Sequence, residues 1–356
     1  MGKNAAATPT NSSLRELLKS VPKTEIHLHI EALVSVDTIW QLIQKHKLNL
    51  GIETKEQLQQ RFQITSLNEF IDLFINIVQA VFLEEDDLNF LITDAEHYLS
   101  RNNIRYAEIF FAPTKLIRNG LDFGALIEKL DAGAEYLKTK GLQVRYIVDV
   151  SRGFGLENAM RNLELTVAHR TDNVIGIGLG GAEQSGPARE YAPVFERAAR
   201  EGLRMVAHAG EDVGPQSIWD TIDILKVDRI GHGISAIQDQ RLMHALRERQ
   251  IPLEICPTSN LFTRKYAQSL EEHPIRAFYD FGMYCTVNTD DPTLFGVDLI
   301  DEYVKLFDAG VFSVDEIIDL IRNGIYATFM PETEKAAIWQ EVQDTISTSS
   351  LLKEAQ

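Results

Sequence analysis

Thr24-Glu25-Ile26-His27-Leu28-His29-Ile30-Glu31 is an apolar, β-favouring run with two histidines placed two residues apart. On a strand, residues i and i+2 share a face. On a helix they diverge, and helical zinc motifs space their histidines by four instead. His27 and His29 therefore read as two imidazoles side by side on one strand, a pair suited to a metal that takes nitrogen ligands. The competing reading is a pair of core histidines with hydrogen-bonded partners. Three more short apolar runs end in ligand-type or acid/base residues: Val206-Ala207-His208-Ala209-Gly210-Glu211, Arg229-Ile230-Gly231-His232-Gly233 and Val287-Asn288-Thr289-Asp290-Asp291-Pro292. Four such endings in one chain point to a shared site.

Working outward, strand-type runs recur at 25–30, 106–111, 144–150, 174–179, 204–208, 229–232, 252–257 and 284–288. Amphipathic segments of helical period separate them. Over 123–138, for example, Leu126, Leu130, Ala134 and Leu137 fall on one face. Eight βα units in succession predict an α/β fold, a parallel sheet closed into a (β/α)8 TIM barrel. No Pro/Ser-rich linker or charge run divides the chain. Residues 14–345 thus read as one domain, with a disordered tail over 1–13 and a polar tail over 346–356. The long connection 36–100 between the first two strands carries several helical stretches and should wall or cover the catalytic face. Function in this fold sits at the C-terminal strand ends, where His27, His29, His208, His232, Asp290 and Asp291 all fall.

A net charge of -17 argues against nucleic acid and anionic membrane surfaces as partners. The longest apolar stretch, 70–83, is interrupted by Asp72 and Asn76 and is too short to span a bilayer. The first residues hold no apolar block of a secretory signal, and Ala6 stands where N-myristoylation needs Ser or Thr. Cys256 and Cys285 lie in apolar runs and read as reduced core thiols of a cytoplasmic protein. Oligomeric state is not legible.

His27, His29, His208 and Asp290 can hold one zinc and leave room for a water, whose pKa the metal lowers to about 7. His232 can take or orient the proton of that water, and Glu211 is the natural general acid. Other readings stay open. Glu211 can be a helix-start acid favoured by the dipole. His232 can be a fourth histidine ligand in place of Asp290. Asp290-Asp291-Pro292 can be a capped turn. Adjacent carboxylates on a strand point opposite ways, so Asp290 and Asp291 would serve metal and substrate separately. Gly178-Leu179-Gly180-Gly181 ends the fourth strand without a lysine, which favours a single metal; its glycines offer a backbone N–H to a ligand or simply a bend. His46, His97, His169, His244 and His273 read as surface or packing residues.

These segments, with Pro22-Lys23 before the first, Gly214-Pro215 after the third and Cys256-Pro257-Thr258-Ser259-Asn260, resemble the adenosine/adenine deaminase branch of the amidohydrolase superfamily. The likeness runs in family order from about residue 14 to 340. It implies a zinc aminohydrolase acting on a purine, with zinc on His27, His29, His208 and Asp290. It further implies Glu211 protonating N1, His232 orienting the attacking oxygen at C6, Asp291 at N7, the Gly181 N–H at N3, Glu31 near the sugar, and His29 among the substrate-binding residues. Ala32, Gly178, Gly180 and Ala182 depart from the family pattern and leave the substrate open. The leading expectation is adenosine or deoxyadenosine. The alternatives are adenine or a modified adenine nucleoside such as aminodeoxyfutalosine, and a non-catalytic purine-binding descendant.

Overall fold

The computed structural model describes residues 11–64 and 67–349. Its eight strands are β1 (Lys23–His29), β2 (Ile104–Phe111), β3 (Gln143–Asp149), β4 (Val174–Leu179), β5 (Arg204–Ala209), β6 (Arg229–His232), β7 (Leu253–Ile255) and β8 (Cys285–Val287). All pair in parallel and in chain order. The barrel closes just past β8, where His29 N–H donates to Asp290 O and Asp290 N–H donates to His27 O, both at 3.1 Å. The expected (β/α)8 architecture is therefore present.

Burial on both faces explains the near-continuous apolar strands. Every residue of β1 is buried. Outward-facing residues such as Ile109 and Phe111 join the helix-covered core, while Phe110, Ile147 and Val206 pack together as a separate cluster inside the barrel. The helix Phe123–Thr139 illustrates the outer layer. Asp122 accepts the Ala125 N–H at its start, and Leu126, Leu130, Ala134 and Leu137 form its buried face. Truncating one such leucine to alanine costs about 2–5 kcal/mol.

Three expectations shift. β7 covers three residues, not 252–257, because Pro252 donates no hydrogen bond and Pro257 opens the helix Pro257–Thr263. Asn11 to Ser13 belong to the helix Asn11–Ser20 rather than to a tail, since this helix buries Leu14, Leu17 and Leu18. The last helix, Glu332–Thr348, likewise carries residues 346–348. The rest of both expected tails lies outside the described residues.

The long connection after β1 contains helices Val36–His46, Lys55–Arg61, Leu67–Leu73 and Leu88–Arg101. Phe70, Ile71, Phe74, Ile75 and Gln79 from it wall a cavity of about 350 Å³ over the C-terminal strand ends. Both cysteines are buried free thiols. Among the described residues no helix is long and apolar enough to cross a membrane.

Candidate active site

The four histidines of the strand ends converge. Ring centroids of His27 lie 4.5 Å from His208, 4.8 Å from His232 and 5.7 Å from His29. Phe110, inside the barrel, packs on His27, His29 and His208 and holds the group from below. Asp290 reaches in from beyond β8. Its Oδ1 stands 3.4 Å from His27 Nε2 and 3.3 Å from His29 Nε2, and its Oδ2 accepts from Ser259 Oγ at 2.7 Å. His232 and Asp290 are both left-handed, with φ of 62° and 66°. Such backbone is costly away from glycine and gathers at functional sites. Here it corrects one expectation: Asp290 and Asp291 both line the cavity, because the left-handed turn cancels strand alternation.

Ligand atoms of His27, His208, His232 and Asp290 lie within 4.8 Å of one another, and a second group joins His29, Asp290 and Asp291. His27 Nε2, His208 Nδ1 and His232 Nε2 are buried without a hydrogen bond. Buried polar atoms ordinarily have partners, so this set suits a cation. The hydrogen bonds behind the rings separate their roles. His27 Nδ1–H donates to Glu254 Oε2 at 2.8 Å, which leaves a lone pair on Nε2, the arrangement of a metal-ligating histidine. His232 is the reverse. Ile275 N–H donates to His273 Nδ1, so the His273 Nε2–H donates to Asn260 Oδ1 at 3.3 Å, and Asn260 Nδ2 donates to His232 Nδ1 at 3.0 Å. Neutral His232 thus carries its proton on Nε2, facing the site. His273, expected to be a packing residue, is buried and orients this relay.

Electrostatics also separate the rings, and a cation at His27 Nε2 would displace the proton that the raised pKa of this ring favours there. Burial pushes His27 down, but the Asp290 and Glu254 carboxylates outweigh it and raise its pKa to about 9. Burial also lowers His29, and Asp290, Asp149 and Glu31 overcome it, for a net rise. Burial lowers His232 to about 3, keeping it neutral, and lowers His208 well below its ordinary value. Glu211 is raised well above the usual carboxylate range, first by burial and then by Asp290, Glu183 and Asp212. That shift favours its protonated form, and its Oε2 lies 3.4 Å from His232 Nε2. Glu183 positions it. That carboxylate accepts the backbone N–H groups of Gly210, Glu211 and Asp212 at 2.7–3.1 Å and the Ser217 hydroxyl. Asp291 is raised well above its ordinary value by burial and by Asp290, and its Oδ1 has no partner.

Gly181, at φ 96°, lines the cavity; a Cβ there would stand 3.3 Å from Arg152 Cγ. Glu31 does not reach the cavity wall. It is buried behind it, with Oε1 accepting from Ala112 N at 2.9 Å and Gln79 Nε2 at 3.4 Å. Two family departures have spatial causes. A Cβ on Gly178 would meet the Phe110 ring at 2.8 Å, and one on Gly180 would meet Asp149 Oδ2 at 2.3 Å. Sequence reasoning missed Glu183, Glu254, Asn260 and His273. Each acts through a hydrogen bond to a remote segment, and only the run containing Asn260 carried a signal, through the family motif.

The adenosine deaminase family profile matches residues 22–345. The chain belongs to the adenosine deaminase family. It is 34% identical over 334 residues to the aminodeoxyfutalosine deaminase of Streptomyces coelicolor, covering 92% of this chain and 85% of that one. It is 33% identical to the adenine deaminase of Cupriavidus metallidurans, over 93% of both chains. The crystal structure of the Arthrobacter aurescens adenine deaminase superposes with a TM-score of 0.88 at 29% identity, covering 92% of this chain and all of that one. Members of the family are aminohydrolases, and so is this chain. They are metal-dependent, and this chain retains a His/Asp group able to hold a metal.

Proposed function

We propose that the chain hydrolytically deaminates C6 of an adenine ring that carries a sugar, an aminodeoxyfutalosine-type nucleoside. The observation that carries this is the cavity. Its floor is made by His29, His208, Glu211, Asp290, Asp291 and Gly181. Its remaining wall, with Phe70, Phe74, Phe154, Phe262, Phe295 and Lys115, encloses far more space than a bare bicyclic base fills. An aromatic wall with one basic side chain fits an extended, acidic substituent.

His27, His29, His208 and Asp290 would hold a zinc ion, with His232 assigned to the attacking oxygen because the Asn260 relay favours a proton on its Nε2. Bound there, the cation supplies activation of a water molecule. Protonated Glu211 donates to ring N1 as C6 becomes tetrahedral. The His232 Nε2–H hydrogen-bonds the attacking oxygen. Asp291, whose raised pKa favours the protonated form, donates to N7, and the Gly181 N–H donates to N3. The C6–O bond forms, the C6–N bond breaks, and one water yields a 6-oxopurine and ammonia. Donors fixed before the reaction and aimed at developing charge make the largest contribution to such a step.

Free adenine is the second reading, supported by the near-equal likeness to adenine deaminases. An ultraviolet assay of metal-quantified protein on aminodeoxyfutalosine, adenosine, deoxyadenosine, adenine and AMP separates them. Preferred conversion of aminodeoxyfutalosine supports the proposal; preferred conversion of adenine replaces it with the second reading.

A further inference from the structure

We propose that Asp149 selects a ribosylated purine over the free base by accepting a hydrogen bond from a sugar hydroxyl. The inference rests on the nucleoside reading above. Asp149 ends β3, is 3% exposed, and lines the cavity. Its Oδ1 is committed to the Ser151 N–H at 2.5 Å, which secures Ser151 in a left-handed conformation. Its Oδ2 accepts no hydrogen bond among the described residues, and it occupies the space that a Cβ on Gly180 would need. Because Asp149 lines the cavity, this oxygen opens toward a bound ligand and is free to accept a hydrogen bond from it.

Placement then favours the sugar. N3 and N9 of a purine flank the same ring carbon. A base whose N3 meets the Gly181 N–H carries its N9 substituent on the side of Gly180 and Asp149. A ribose brings hydroxyl donors there. The wall also continues past this point: Asn162 Nδ2 bridges Asp149 O and Thr114 Oγ1, and Lys115 follows, with no ion-pair partner among the described residues. The group beside Asp149 is therefore interior to a longer ligand.

Asp149→Asn keeps an amide oxygen for the Ser151 N–H but turns the cavity-facing acceptor into an NH2 donor. With metal-loaded protein, kcat/KM for the nucleoside should fall about 10- to 100-fold, mainly through KM, while kcat/KM for adenine falls by a clearly smaller factor, through the lost charge beside His29. Wild-type protein should also disfavour either 2′-deoxyadenosine or 3′-deoxyadenosine against adenosine, and D149N should lose that discrimination. Inhibition by inosine, but not by hypoxanthine, should weaken in parallel in D149N, and this readout carries the test if that variant turns the nucleoside over too slowly to measure. Equal losses on base and nucleoside, no loss on either, or a larger loss on adenine would each overturn the assignment. Wild-type protein that converts adenine and no nucleoside removes the nucleoside reading itself, before any variant is compared, and this role with it.

Discussion

Two rings of buried polar groups share the barrel interior, and they are built in opposite ways. The lower ring is paired by charge, although Arg229 Nη2 and Glu108 Oε2 carry no hydrogen bond. Arg229, 1% exposed, binds Glu254 Oε1 at 2.6 Å and Glu108 Oε2 at 2.5 Å, donates to Ala327 O at 3.0 Å, and lies 3.8 Å from the Phe329 ring centroid. Tyr106 and the Phe329 N–H donate to the other Glu108 oxygen. The upper ring is unpaired: His27 Nε2, His208 Nδ1, His232 Nε2 and Asp291 Oδ1 all lack hydrogen bonds. His27 joins the two through Glu254. Burial costs both rings desolvation. The lower offsets it within the protein, whereas the upper keeps its atoms for a ligand, and that separates a structural ion pair from a site.

Changes in each ring should break the comparison differently. The largest effect is expected from Glu211→Gln, which removes the acidic proton: kcat should fall about 10²- to 10⁴-fold with bound metal unchanged. A fully active Gln variant would take Glu211 out of the mechanism. In the lower ring, Arg229→Ala leaves Glu108 and Glu254 buried and uncompensated and should cost about 3–5 kcal/mol of stability. Urea unfolding of metal-free protein measures it, and an unaltered midpoint would show the ring is not held by charge pairing. Asn260→Ala frees His232 Nδ1 and its tautomer. It should lower kcat about 10-fold while leaving metal content and KM in place; loss of metal instead would make His232 a ligand.

The smallest effect concerns a carboxylate outside both rings. Burial raises Glu302 from 4.5 to about 7, although it accepts the Thr258 N–H. The unfolded chain loses that proton near pH 4.5 and the folded one near pH 7. The stabilising contribution is therefore complete below pH 4.5 and is lost as pH rises to about 7. Glu302→Gln should flatten this part of the stability profile. Parallel slopes for the two proteins between pH 4.5 and 7 would show that Glu302 titrates normally.

Much of the site was legible in the chain because its signals are local. His27 and His29 share a face through a two-residue period, and His208, His232 and Asp290 each end an apolar run. The paired orientation of Asp290 and Asp291 was not legible, because it depends on a left-handed backbone imposed where β8 meets β1. Nor was Glu183 or His273: an isolated Glu or His has no periodicity, and its partner lies on another strand end. Asp149 stood inside a predicted strand and acquired meaning only beside Gly180.

The sequence by itself determined the barrel and the clustering of ligand-type residues at one end of it. Strand and helix periods are properties of neighbouring residues, and the parallel order follows from their alternation. Tertiary structure alone decided which histidine nitrogens are free, which carboxyls are pushed toward their protonated form and which walls line the cavity. Those properties depend on burial and on donors far away in the chain, as with His27 and Glu254, 227 residues apart.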